Sequence, residues 1–208
     1  MRERPILFSG PMVRAILSGT KTQTRRVVKP QPVADANWVG GGYWERNAAT
    51  ITQPIPTRLC IPDMTEFGPC GQPGDRLWVR ETFAEKLAHT GRPMGWAYRA
   101  DGERAEYELG NGRWSPSIHM PRWASRITLE ITGVRVERLQ DISEDEARDE
   151  GAQSWAAETV IDGNKYPSCR AAFIELWRST NSPGSWEANP WLWVIAFRRV
   201  APLAGEEK

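Results

Sequence analysis

Leu17-Ser18-Gly19-Thr20-Lys21-Thr22-Gln23-Thr24-Arg25-Arg26 is the stretch whose reading decides the fold. Ahead of it, Ser9-Gly10-Pro11-Met12-Val13-Arg14-Ala15-Ile16 predicts a short helix. Ser9 or Gly10 can cap it, and Pro11 suits a first turn in which a backbone N–H has no partner. Met12, Val13, Ile16 and Leu17 fall on one side at helical spacing, so the helix can dock on a core, and Gly19 suits a left-handed stop. Three threonines, one lysine and two arginines follow between positions 20 and 26. Threonine favours extended chain. The segment therefore leaves a fixed helix end and carries Lys21, Thr24, Arg25 and Arg26 into a strand. Chemistry alone also allows a solvated edge strand, because lysine and arginine discourage edge pairing.

Composition narrows the classes. A chain of 208 residues reads as one domain, 1–208, with insertions. Lys+Arg 27 against Asp+Glu 26 leaves a net charge of +1, so no global field attracts nucleic acid and any basic face is local. Cys60, Cys70 and Cys169 form no C-x-x-C pair, which points to free thiols in a reducing compartment and a cytoplasmic location. Their spacing fits none of the usual structural zinc patterns, so neither a metal nor a cofactor is expected. No run is long and apolar enough for a signal peptide or a membrane span. Eleven tryptophans is the unusual count, and most of them must be core or pocket lining.

Outward from the opening stretch, Pro5-Ile6-Leu7-Phe8 is a first strand. From about 30 to 58, prolines and Gly40-Gly41-Gly42 bracket a weak hairpin around Tyr43-Trp44 and Thr50-Ile51-Thr52, the first insertion. Pro73-Gly74-Asp75 turns the chain into a strand with Leu77, Val79 and Glu81 on one face and Trp78, Arg80 and Thr82 on the other. A tryptophan and an arginine on one face suit a cleft wall, or equally a core Trp78 with Arg80 in solvent. A second insertion, about 84–120, carries short strands and ends in Ser117-Ile118-His119-Met120-Pro121-Arg122-Trp123-Ala124-Ser125-Arg126. Interleaved aromatic and guanidinium groups are what single-stranded nucleic acid recognition uses, planes for stacking and forks for phosphate. A tryptophan-anchored loop with solvated arginines is the plain alternative.

Ile127-Thr128-Leu129-Glu130-Ile131-Thr132 and Val134-Arg135-Val136-Glu137-Arg138-Leu139 form a long strand bent at Gly133. Ser143 and Glu146 then make a capping box, and the helix stops at Gly151. Glu150 shares a face with Glu146 and Ala147, the helix's apolar contact, so that face turns inward. A carboxylate in the last turn opposes the helix dipole, and a locally unfavourable group aimed inward is a functional candidate. An exposed glutamate at a frayed end is the other reading. Ser168-Cys169-Arg170-Ala171-Ala172-Phe173-Ile174-Glu175-Leu176-Trp177-Arg178 is an amphipathic helix, 191–200 a buried last strand, and 201–208 a polar tail expected to be disordered. Strands and helices mixed in this order give an α+β class.

Gly19-x-Lys21-Thr22-x-Thr24-x-Arg26 resembles the entry motif of the ASCH family, a branch of the PUA-like β-barrels. Pro73-Gly74-Asp75-Arg76-Leu77-Trp78-Val79-Arg80-Glu81 resembles that family's second signature, and 191–199 its closing strand. The layout is similar to the longer ASCH proteins of phages and prophages. The resemblance touches roughly half the chain, with short motifs. It implies a PUA-like open β-barrel flanked by short helices, with the two insertions added.

Among small ASCH proteins is an amidohydrolase that removes the acetyl group from N4-acetylcytidine. Its catalytic lysine and threonine correspond to Lys21 and Thr24, and its glutamate falls on Glu150. The resemblance therefore implies hydrolysis of the N4-acyl amide of a modified cytosine nucleoside or nucleotide. Thr24 would attack, with Lys21 or Glu150 taking its proton. Lys21 can do so only if desolvation lowers its pKa by several units, so the preferred assignment is Glu150 as base and a charged Lys21 steadying the oxyanion. A regular strand would put Lys21 and Thr24 on opposite faces, so a bulge or bend is required between them. The family's general expectation is RNA binding, and some relatives have been proposed as nucleases. The competing class is thus a module for RNA or other single-stranded nucleic acid, with Lys21, Arg25, Arg26, Arg80, Arg122 and Arg126 on phosphates, Trp78 or Trp123 stacking a base, and His119 nearby.

Overall fold

The structure is a computed structural model and describes residues 1–39, 41–46, 57–88, 90–102, 108–109, 113–152 and 168–200. Its frame is a five-stranded sheet built from β1 (Glu3–Leu7), β2 (Gln23–Val27), β6 (Arg76–Arg80), β10 (Thr128–Arg138) and β11 (Trp191–Val200), in the order β1-β6-β10-β11-β2. β1 runs parallel to β6, and the other pairings are antiparallel. β11 is the centre of the molecule because its residues are apolar on both faces. Trp193, Ile195 and Phe197 join Ile6, Leu77, Val79, Leu129 and Ile131 in one core. Leu192 faces the opposite way, into a second core with Leu139, Ile142 and Ala147.

Each core is closed by helices. Helix α1 (Gly10–Leu17) supplies Val13 and Ile16 to the first. Gly19 stops the chain behind it at φ 77°, a left-handed conformation that costs glycine little. Helices α2 (Glu144–Asp149) and α3 (Cys169–Thr180) cover the second core with Ala147, Ala172, Phe173 and Trp177. The α2 capping box is formed: Glu146 N donates to Ser143 Oγ at 3.2 Å, and Ser143 N donates to Glu146 Oε2 at 2.9 Å. β10 bends where expected, with the register shifting between Ile131 and Gly133. The bend lets one strand pair β6 with its first residues and follow β11 along its length.

The sheet is strongly curled. Its edge strands β1 and β2 share no ladder, yet Arg26 on β2 donates from Nη2 to Leu7 O on β1 at 2.9 Å. The ring of Phe8, next after β1, meets Phe197 of β11 at 6.1 Å between centroids. No closed barrel is formed among the described residues, and the class is α+β.

The insertions carry two small sheets of their own. β3 (Val33–Ala34), β4 (Gly42–Arg46) and β5 (Thr57–Cys60) form one, and β7 (Phe83–Leu87), β8 (Pro93–Tyr98) and β9 (Glu108–Leu109) the other. Tyr43 and Trp44, one arm of the expected hairpin, lie on β4, which pairs with β5; residues 50–52, the other expected arm, and the tail 201–208 lie outside the described residues. The strand expected from Arg76 to Phe83 is two strands, β6 and β7. Glu81, between them, is buried and engaged by Arg126. No helix among the described residues is long and apolar enough to cross a membrane.

Candidate active-site cleft

The opening motif leaves the sheet before β2 begins. Thr20 N and Lys21 N both donate to Ala15 O of α1, at 2.9 and 3.0 Å, and Lys21 forms an isolated bridge with Glu150. Regular pairing with β11 extends from Gln23, opposite Ala196, to Val27, opposite Leu192. Lys21 is thus turned aside by the helix end and by Glu150, and strand alternation from Thr24 does not fix where its side chain points.

Glu150 holds the C-terminal cap position of α2, in αR conformation, and is 5% exposed. Gly151 follows at φ 79°, and a Cβ built there would come within 3.0 Å of Ala15 and 3.2 Å of Lys21. The close approach of α2 to the Lys21 segment thus needs glycine. Lys21 is fully covered, and its Nζ donates to Glu150 Oε2 at 2.7 Å and Glu150 O at 2.8 Å. The other carboxylate oxygen, Oε1, accepts from Arg25 Nη1 at 3.1 Å. Both oxygens of Glu150 are therefore held by cations.

Arg25 is itself the hub of a buried network. Its Nη2 lies 3.3 Å from both Glu137 Oε2 and Glu146 Oε2, and its guanidinium stands over the Phe173 ring at 5.8 Å. Arg135 closes the outer side through Glu137 and Glu146. Gln23 Nε2 donates to Glu146 O at 2.8 Å. Burying several ions is costly unless each is paired, and here every carboxylate has at least one cation. Burial pulls the Lys21 pKa below the ordinary lysine value; the Glu150 carboxylate opposes that shift, and Arg26 and Arg25 reinforce it.

Thr24 is buried at 1% exposure, and its Oγ1 accepts from Arg26 Nη1 at 3.1 Å. Arg26 and Lys21 both lie over the ring of Phe8, at 5.5 and 5.7 Å. Thr24, Arg25, Arg26 and Glu150 open onto one cleft of about 430 Å³, walled on the far side by Phe173, Leu176 and Trp177 of α3, with Lys29 also on its lining. That volume lies within the range of about 300–1,000 Å³ usual for small-molecule sites.

The other predicted residues lie elsewhere. Trp78 is buried on β6, with the Arg80 guanidinium over its ring at 4.8 Å and Arg80 Nε donating to Met120 O at 3.0 Å. Arg122 grips Glu3 with two hydrogen bonds of 2.9 Å. Arg126 forks onto Glu81 at 2.9 and 3.0 Å and onto Asp101 at 2.8 and 2.7 Å, with its guanidinium 4.0 Å from the Tyr98 ring centre. His119 is exposed, and Trp123 is 68% exposed, its ring 4.8 Å from that of Trp96. None of these six residues lines the cleft.

Sequence reasoning missed Glu137, Lys29 and the wall from α3. From sequence Glu146 is half of a capping box on the face it shares with Glu150, and Phe173 and Trp177 are core. A signal for Glu137 did exist: it alternates with Arg135 on β10, and two charges on one face of a strand in the middle of a sheet require partners.

No family model matches the chain, and no curated protein sequence matches it. Among solved structures, the crystal structure of protein EF3133 from Enterococcus faecalis V583, family-model DUF984, aligns at TM-score 0.32 and 12% identity over 96% of this chain and 80% of that one. A likeness at that level carries no argument about fold or activity.

Proposed function

We propose that the chain is a longer, phage-type member of the ASCH branch of PUA-like proteins, its curled sheet serving as the open barrel, and that it hydrolyses the N4-acyl amide of a modified cytosine nucleoside or nucleotide. The observation that carries this reading is the meeting of Thr24 and Glu150 on one cleft, with Lys21 buried against Glu150 at 2.7 Å across 129 positions of sequence. Amide hydrolysis needs a nucleophile, a base and a cation for the oxyanion. Thr24 Oγ1 attacks the acyl carbon. We assign the hydroxyl proton to Lys21 in its neutral form, which burial favours; Lys21 lies behind the cleft lining, held by Glu150 at 2.7 Å, and Glu150 Oε1 is engaged by Arg25. Glu150 then orients Lys21, which serves as the alternative to the base preferred from sequence. Arg26, hydrogen-bonded to Thr24 Oγ1, supplies positive charge beside the tetrahedral centre.

As the C–N bond breaks, Lys21 returns its proton to the departing cytosine amine. Water then cleaves the Thr24 ester, giving the carboxylic acid and free Thr24. The cleft is large enough for a nucleoside, and Phe173 and Trp177 furnish an aromatic wall beside it. A second reading, binding or cleavage of single-stranded RNA, draws on Trp123, exposed beside Trp96. It is the weaker reading, because Arg122 and Arg126 are engaged by carboxylates.

The test is incubation with N4-acetylcytidine and chromatography for cytidine. Wild type is expected to release it, while Thr24→Ala loses at least about 100-fold in rate but still binds the nucleoside. Equal release by Thr24→Ala would remove the nucleophile from the mechanism. No release by wild type at high enzyme concentration would turn attention to RNA.

A further inference from the structure

Charge accounting around the cleft leaves a remainder. Every carboxylate near it is already taken: Glu150 by Lys21 and Arg25, Glu146 by Arg25 and Arg135, and Glu137 by the same two arginines. Arg26 and Lys29 also line the cleft, and among the described residues neither makes an ion pair. The Arg26 donors go to neutral oxygens, Thr24 Oγ1, Arg25 O and Leu7 O. Lys29 stands just beyond the end of β2 and is exposed. The lining thus presents two cations without counter-charge, one beside the nucleophile and one three positions further along the chain.

Two such cations on a concave surface favour a ligand that brings negative charge, and lysine serves phosphate as a mobile point charge. We infer that the substrate of this cleft is a nucleotide: an N4-acylated cytidine carrying a 5′-monophosphate, with Lys29 on the phosphate and the acyl group at Thr24. This rests on the amidohydrolase reading for the acyl end, while the phosphate end stands on the charge of the lining. A phosphodiester within a strand has the same chemistry, but a cleft of about 430 Å³ is of single-nucleotide scale.

Two measurements on the full chain separate the claims. Calorimetry with cytidine 5′-monophosphate and with cytidine needs no turnover. The monophosphate is expected to bind roughly tenfold tighter, the worth of one charged hydrogen bond, with the preference falling as salt rises and collapsing toward unity in Lys29→Gln. Kinetics then compare N4-acetylcytidine, its 5′-monophosphate and a short oligonucleotide containing the acetylated base. A kcat/KM preference for the monophosphate over both others, reduced in Lys29→Gln, supports the inference. Equal binding of nucleoside and monophosphate overturns it even if acetylcytidine is hydrolysed. Preference for the oligonucleotide overturns it in favour of a polymer. Tight monophosphate binding without hydrolysis of any substrate leaves the anion site standing and removes the amidohydrolase.

Discussion

The cleft between β2 and α3 and the face formed by β6, β8 and the 115–126 loop are made from the same kinds of residue, arginines, glutamates and tryptophans, yet use them oppositely. At the cleft, Arg25 on its lining and Lys21 behind it are nearly inaccessible, and their carboxylate partners come from β10 and from the end of α2. On the other face, Arg122 and Arg126 retain 34% and 25% exposure of their side chains, and Glu3 and Asp101 answer them at the surface. Water screens the second set. The first set is not screened, and there a lysine is pulled away from its ordinary pKa. Groups removed from their solution behaviour are what the proposed hydrolysis draws on, which is why it is placed at the cleft.

The comparison breaks most easily at Glu150. Glu150→Ala leaves Lys21 and Arg25 buried without the carboxylate they share, and the expected loss is about 3–5 kcal/mol by denaturant unfolding. Glu3→Ala, which removes the carboxylate from Arg122, is expected to cost no more than about 1 kcal/mol. Equal costs would mean that the two networks are the same kind of object.

Arg126 tests the opposite boundary, because one of its partners is not superficial. Glu81 is 1% exposed, and burial raises its pKa against the lowering effect of Arg126. Arg126→Ala is expected to destabilise by about 1–3 kcal/mol as the carboxylate loses its donors, with the loss shrinking in acid where Glu81 takes up a proton. An arginine held for phosphate would instead be dispensable for stability. Unchanged unfolding of Arg126→Ala would return it to the list of nucleic-acid contacts.

Much of the frame was legible because it obeys local rules. The Pro11 start and Gly19 stop of α1, the Ser143–Glu146 box and the Gly133 bend all lie in short windows of sequence. Lys21, Thr24 and Glu150 were singled out through family likeness plus one physical hint, an inward carboxylate in the last turn of α2. What sequence could not supply was the partnership. Whether Arg25 faces substrate or three glutamates depends on β10 and α2 arriving beside β2, which no window around Arg25 contains. The 119–126 segment misled for the same reason: its arginines look free until Glu3, Glu81 and Asp101 are brought alongside.

Lys21 gives a smaller but more diagnostic effect. Its folded pKa is depressed, so between that value and the unfolded lysine value of about 10.4 the unfolded chain binds the extra proton. Stability contributed by this group is therefore present above the unfolded value and is lost as pH falls through the window to the folded pKa. Stability should rise with pH there by at most about 1.4 kcal/mol per unit, and the rise should disappear in Lys21→Met. The proposed base demands the same sign in kinetics: kcat/KM rises with pH through the folded pKa of Lys21. A flat profile alongside a clear stability slope would keep the buried lysine and remove it as the base.

Trp123 carries the smallest expected effect and guards the other side of the comparison. At 68% exposure it buries little, and its contact with the Trp96 ring, 4.8 Å away, is worth about 0.5–1.5 kcal/mol at most. Trp123→Ala is therefore expected to shift unfolding by no more than that and to leave acetylcytidine turnover within about twofold, since the residue is not on the cleft. The informative readout is single-stranded RNA. Base stacking on an exposed aromatic is worth about 1–3 kcal/mol per base, so a working platform would lose roughly tenfold or more in affinity in this variant. If wild type binds such RNA and Trp123→Ala does not, the outer face is a second functional surface and the two regions differ in ligand. If neither binds, exposure of an aromatic ring there reflects a short turn, Arg122–Ala124, packed on a small insertion sheet with too little core to cover it, and the proposed function stays with the cleft.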